Sequence, residues 1–215
     1  ITRAESQFSQ SCAAHAAQGD WSAADALRTL EAASNDMAAI TGAQTDRMTR
    51  DDGWRLLSIG RLIERLCVLA PALASGFQTG AVHDSGGFEA LVALFDSTIT
   101  FHAQYQQSRD VAALVDLLVL DRDNPRSLGW VVQTLRGRLA KLAGSAPDAL
   151  DALARKMPDP ADWRLAPLCT PDADDRYSAL AALLSQCLGA AWQLSEDISL
   201  RYFTHTFETG QSLGA

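Results

Sequence analysis

The chain has 215 residues, with 18 Lys and Arg against 26 Asp and Glu and a formal charge of −8. That acidic balance argues against a nucleic-acid or anionic-membrane binder, since both need a basic footprint. Apolar residues make up 47% and charged residues 20%, which belongs to a folded chain, and the 37 Ala and 29 Leu tilt it toward helix.

No strand is read, because strict alternation is absent and the apolar spacing is helical. A first helix is expected over Ala4–Ala17, ending at Gly19. Asp20 or Ser22 caps a second over Trp21–Ile40, with Trp21, Leu27, Leu30, Met37 and Ile40 as its apolar contacts and Gly42 as its stop. Thr49 then offers an N-cap hydroxyl, and Asp51 and Asp52 place two carboxylates where a helix dipole favours them. The third helix runs to about Phe77, with a bend expected at Pro71.

Gln78–Gly87 reads as a loop, Phe88–Gln106 as a fourth helix and Val111–Leu120 as a fifth. Asn124-Pro125 has the form of a helix start, a capping Asn followed by Pro at the first helical position. The sixth helix then reaches Leu142 and stops at Gly144. Ala146–Lys156 is a weaker helix, and Met157–Asp172, with four of the seven prolines, an extended loop. The last helix spans about Ala173–Phe207. The expected fold is all-α, a bundle of seven to eight helices with no sheet. Residues 1–207 form one domain, and residues 208–215 are a frayed polar tail.

Cys12, Cys67, Cys169 and Cys187 have no C-x-x-C spacing and read as reduced thiols of a cytoplasmic chain. The first residues lack the apolar core of a signal peptide, and no run approaches the ~20 clean residues of a spanning helix. The Ile at position 1 suggests a piece of something longer. Glu-x-x-His, His-Glu-x-x-His, P-loop, Gly-x-Gly-x-x-Gly and Gly-x-Ser-x-Gly patterns are absent. No metal site and no cofactor is therefore expected.

Three polar placements stand out. On the third helix Leu56, Ile59, Leu62, Ile63, Leu66, Cys67 and Ala70 cover an apolar arc, while Arg55, Ser58, Arg61 and Arg65 gather on another. Glu64 falls between Leu57, Cys67 and Val68, with Gly60 one turn earlier, and is expected to be part-buried. It is then either a carboxylate poised for acid–base or ligand work beside a gap left by Gly60, or half of an interior ion pair. Asp116 interrupts the apolar run 112–120 and needs a partner, such as Arg126 or an arginine of the third helix. Ser195, Ser199 and Tyr202 recur at helical spacing on the last helix, with Arg201 and His205 nearby. His102 reads as an interior histidine satisfied by its neighbours.

Four segments together resemble the bacterial alpha-E family. They are Met48-Thr-Arg-Asp-Asp-Gly-Trp54 leading into Gly60-Arg-x-x-Glu64-Arg65; Asp96-Ser97-x-Ile99-Thr100 with Tyr105; Leu117–Asp121 leading into Asn124-Pro-Arg-Ser-Leu128; and Leu194-Ser-Glu-Asp197 with Tyr202-Phe-Thr-His205. They follow the family's order over Met48–His205. Members usually open with an earlier helix carrying a first Gly-Arg-x-x-Glu-Arg copy, so the chain is similar to the family's C-terminal part.

The resemblance implies an all-helical domain found beside, or fused to, an ATP-grasp protein, an accessory domain of a peptide or amide ligase system that binds a carboxylate- or phosphate-bearing amino-acid or peptide substrate. Glu64 and Arg61 are the candidate catalytic pair. Arg65, Asp116, Asn124, Arg126, Tyr202 and His205 are the candidate substrate-binding residues, with the arginines holding carboxylate or phosphate oxygens. Two other readings stay open: a structural protein-interaction domain without a ligand, and a stand-alone enzyme using Glu64 as general base.

Overall fold

The computed structural model describes residues 2–18, 22–106, 108–142, 152 and 154–203. Two compact units divide the chain, Ile1–Trp54 and Arg55–Ala215. Every described element is helical, and no strand occurs among the described residues.

In the first unit α1 (Thr2–Gln18) packs against α2 (Ala23–Arg47). Ser22 caps α2, its hydroxyl accepting from the Asp25 amide at 3.2 Å. The helix passes through Gly42 to Arg47, because a glycine ends a helix only where it turns left-handed and good helix formers follow this one. Leu27, Leu30 and Met37, expected as buried contacts, are 50–61% exposed, while Ile40 is half-buried. Trp21 and the Gly19 stop lie outside the described residues. Asp51, not Thr49, caps the next helix, accepting from the Trp54 amide at 3.0 Å.

The second unit holds the core. Its backbone element is α3 (Asp52–Gln78), which belongs to this unit from Arg55 onward and whose Ile59, Leu62, Ile63, Leu66, Leu69, Ala70 and Leu73 are buried. The helix continues through Pro71. A 3-10 turn (Ala81–His83) then leads to α4 (Ser85–Leu94), capped by Asp84 accepting from the Gly87 amide at 3.0 Å. The sequence reads one helix over 88–106; the structure breaks it. Asp96 takes a φ of +46°, a conformation Asp tolerates better than most residues, and α5 restarts at Thr98–Tyr105. The break lets Phe95 and Phe101, on opposite sides of it, both be buried.

After α6 (Val111–Val115) the chain widens into a π-helical turn, Asp116–Leu120, closed by the Asp121 amide donating to the Asp116 carbonyl at 2.8 Å. Leu117, Leu118 and Val119 on this turn are wholly buried. Next, α7 runs over Leu128–Leu142 and packs against the π turn. A Cβ on Gly129 would lie 2.8 Å from the Val119 carbonyl oxygen and 2.9 Å from that of Leu120, so only glycine allows this approach. The start of α7 corrects the expectation at Asn124-Pro125: Ser127 is the cap, its hydroxyl accepting from the Trp130 amide at 3.0 Å.

Arg136 on α7 gathers the following segment, donating to the carbonyls of Ala154 at 3.3 Å and Met157 at 2.6 Å and pairing with Asp159 at 2.7 Å. The stretch expected to be extended carries a 3-10 turn, Pro160–Asp162, and a short helix α8, Leu165–Leu168. The last helix, α9, covers Ser178–Tyr202, starting five residues later than expected. Most of the expected helix over 146–156, the stop at Gly144, and residues 204–215 lie outside the described residues. With these short segments the described residues hold more helices than the seven to eight expected.

Candidate functional site

Among the described residues the buried polar side chains are Ser97, Asn124 and Ser127, and all three belong to one junction. Ser97 follows the α4–α5 break and donates to the Phe95 carbonyl at 3.0 Å. Asn124 donates to the Leu117 carbonyl at 3.3 Å and to the Ser97 hydroxyl at 3.4 Å, and its side-chain oxygen accepts from the Arg126 amide at 3.1 Å. Asp121 accepts from the amides of Asp123 and Asn124 at 2.9 and 3.1 Å, and the Ser127 hydroxyl donates to the Asp121 carbonyl. A loop wired this densely has little freedom, so it presents Arg126 from a fixed base.

Arg126 meets Asp96 of the break, with Nε and Nη2 both 2.8 Å from Oδ2. The pair is exposed, with 44% of the arginine and 83% of the aspartate side chain open to solvent. Arg65 reaches the same place from α3, its Nη1 donating to the Pro125 carbonyl at 3.2 Å. Together Arg65, Leu69, Leu94, Phe95, Asp96 and Arg126 line a pocket of about 150 Å³. Two guanidiniums over a small recess form an oxyanion-binding geometry, and Asp96 supplies a carboxylate to one of them in the free protein.

Of the sequence-derived candidates, Arg65, Asn124 and Arg126 are brought together here, with Asn124 as a positioning residue below the surface. Asp116 is half-buried, and its described partner is Tyr105 rather than an arginine: the tyrosine hydroxyl donates to Oδ2 at 2.5 Å. Burial, followed by this bond and by the surrounding carboxylates, pushes the Tyr105 hydroxyl well above the ordinary phenol range. Tyr202 packs its ring against the core, with the Arg201 guanidinium 5.8 Å from the ring centroid. His205 lies outside the described residues.

Glu64 corrects a central expectation. It is exposed, as are Gly60 one turn before and Val68 one turn after, because this stripe of α3 turns away from the buried arc. A Cβ on Gly60 would meet nothing within 4 Å, so the glycine opens no enclosed gap. Arg61 is half-buried. The neighbouring Cys67 thiol is pushed up by burial, with Glu64 adding to the shift against a hydrogen bond with Trp192. His102, expected inside, is exposed, with Nδ1 3.2 Å from the Gln106 carbonyl oxygen.

The sequence reading did not single out Asp96, Ser97 or Tyr105 as functional. The signal was the cluster Asp96-Ser97-Thr98 inside an otherwise helical pattern, since residues of this kind favour turns and caps over helix interiors. No group of His, Cys, Asp and Glu suited to a metal ion occurs among the described residues. No helix among them is long and apolar enough to cross a membrane.

The chain that carries these segments matches a known family model over residues 6–203. That model is described as a predicted alpha-helical domain with a conserved ER motif. The chain belongs to the Alpha-E family. Glu64-Arg65 is the Glu-Arg dipeptide in this sequence, and the match begins well ahead of Met48, where the first recognisable segment starts.

Uncharacterized proteins of Mycobacterium bovis and Mycobacterium tuberculosis are 31% identical over 113 residues, which is 51% of this chain and 13% of each relative. The part of the chain that aligns thus covers about an eighth of the length of the curated relatives it matches. No solved structure matches it.

Proposed function

We propose that this Alpha-E domain is an accessory, substrate-binding domain of an ATP-grasp peptide or amide ligase system, and that Arg126 and Arg65 take the carboxylate or phosphate oxygens of its substrate. The observation that carries this reading is the Arg126–Asp96 pair over the 150 Å³ pocket. A carboxylate already occupies an exposed guanidinium there. An exposed pair of this kind is weak, so a substrate oxyanion replaces Asp96 like for like without leaving a buried charge unpaired.

An ATP-grasp enzyme phosphorylates a carboxylate, releasing ADP, and an amine then displaces phosphate from the acyl-phosphate. In this reading Arg126 and Arg65 hold the oxygens of the carboxylate or its phosphate, and Asn124 and Ser127 keep Arg126 in place. Glu64, exposed next to Arg65 in the chain, receives the ammonium of an amino-acid or peptide substrate. The much greater length of the mycobacterial relatives supports a domain that works as part of a larger system.

Calorimetric titration with acetyl phosphate and with inorganic phosphate tests the site itself. The expected result is saturable binding that weakens with salt and is lost in Arg126→Gln. Equal titration of both proteins, or no binding by either, contradicts the oxyanion role.

A structural reading draws on the same junction, because Arg65, Arg126 and Asn124 also tie α3, the α4–α5 break and the α7 entry together. Under it, Arg126→Gln lowers the melting temperature and anions have no effect on either protein.

A further inference from the structure

A second pocket, of about 330 Å³, lies between α4, α5 and the chain entering α6. Its inner walls are Phe88, Val92 and Phe101, each buried, with Phe88 and Phe101 in edge-to-face contact at 5.3 Å. Its outer lining is polar and exposed: Glu89 from α4, Arg109 from the segment before α6, and His102 from α5. Glu89 and Arg109 form an ion pair with each other, with 59% and 49% of their side chains open to water. None of these residues belongs to the Arg65–Arg126 recess, and no sequence motif pointed to them.

We propose that this pocket binds a free α-amino acid with a branched or aromatic apolar side chain. The side chain enters the Phe88–Val92–Phe101 wall, the carboxylate goes to Arg109 and the ammonium goes to Glu89. Three features select this class. The volume lies at the lower end of ligand pockets, about 300 Å³, which suits one residue and not a peptide run. The interior is apolar and its lining aromatic carbons favour an apolar group.

The rim carries one cation and one anion already in contact, and an α-amino acid carries both charges on a single carbon. The ligand opens the Glu89–Arg109 pair and re-pairs each member, so no charge is stranded. The exposed pair costs little to open. His102 borders the same rim, its Nδ1 lying 3.2 Å from the Gln106 carbonyl oxygen.

Calorimetry with the whole chain tests the assignment using L-leucine, L-phenylalanine, L-alanine, N-acetyl-L-leucine and L-leucinamide. The expected result is binding of leucine or phenylalanine, weakened at least about tenfold by acetylating the amine, by amidating the carboxylate, or by shortening the side chain to alanine. Arg109→Gln and Glu89→Gln, both at exposed positions, abolish that preference while leaving the circular dichroism spectrum and melting temperature unchanged. Ala93→Trp, from an exposed position on the pocket wall, blocks binding by filling the space. Arg126→Gln has no effect, which separates this pocket from the oxyanion recess. Failure of every compound to bind, or equal binding of leucine and its N-acetyl form, overturns the proposal.

Discussion

Arg126 and Asp96 are 30 residues apart in sequence, yet the arginine places both Nε and Nη2 at 2.8 Å from one aspartate oxygen. The contact sits on top of a buried polar junction of Ser97, Asn124 and Ser127, and the two layers have different energetic weights. Asp96→Asn removes an exposed ion pair and is expected to cost less than about 1 kcal/mol. Asn124→Ala leaves the Leu117 carbonyl and the Ser97 hydroxyl short of a partner and is expected to cost about 2–3 kcal/mol. Urea unfolding of the two variants beside the wild type checks the ordering, and equal losses would show that the surface pair and the buried lock are one unit.

Glu64→Gln separates a surface role from an interior one. A broken buried ion pair would cost about 3 kcal/mol or more. Glu64 is exposed, so the substitution is expected to shift stability by no more than about 0.5 kcal/mol. Thermal melting settles it, and a large loss would mean that Glu64 has a structural partner.

Two glycines of similar helical setting respond oppositely. Gly129→Ala drives a methyl toward the Val119 and Leu120 carbonyls and is expected to destabilise by about 1–3 kcal/mol. Gly60→Ala has open space around it and is expected to stabilise by about 0.5–1 kcal/mol through helix propensity. Denaturant midpoints for both variants check the sign of each change. A neutral Gly129→Ala would mean that the π turn can yield to α7.

Much of the helical pattern was legible in the sequence, and so was a helix entry near Asn124-Pro125, though its cap is Ser127. The Ser22 cap and the buried arc of α3 follow from local chemistry, because capping residues and apolar spacing act within a few residues. The break at Asp96 was missed: the Asp96-Ser97-Thr98 cluster is a turn signal, but what sets the break is the joint burial of Phe95 and Phe101 with Ser97 pinned against Asn124, 27 positions away. Glu64 was misplaced for a related reason. Helical periodicity orders residues around an axis, but it does not say how far a neighbouring helix wraps around that axis. Asp116 was read correctly as needing a partner, and Tyr105 was overlooked because a hydroxyl eleven residues away carries no charge signal.

The Tyr105–Asp116 bond predicts a pH dependence with a definite sign. Burial and the Asp116 carboxylate push the Tyr105 hydroxyl upward, so folding favours the neutral phenol. Its stabilising contribution is complete below the ordinary tyrosine value of about 10 and declines as pH rises through the shifted value. Tyr177 is also shifted upward, mainly by burial, so the comparison is made against Tyr105→Phe. The stability gap between wild type and Tyr105→Phe is expected to stay constant from neutral pH to about 10 and to change only above it. A gap that already changes between pH 7 and 9 would rule out this account of Tyr105.

The central claim, that Arg126 serves a ligase reaction, is tested most directly by ADP release from the ATP-grasp protein of the same organism. The enzyme is supplied with mixed amino acids and short peptides, alone, with this chain, and with its Arg126→Gln form. Stimulation by the wild-type chain that falls at least about tenfold with Arg126→Gln, while both chains remain folded by circular dichroism, is the predicted result. Equal stimulation by both, or none by either, would contradict it.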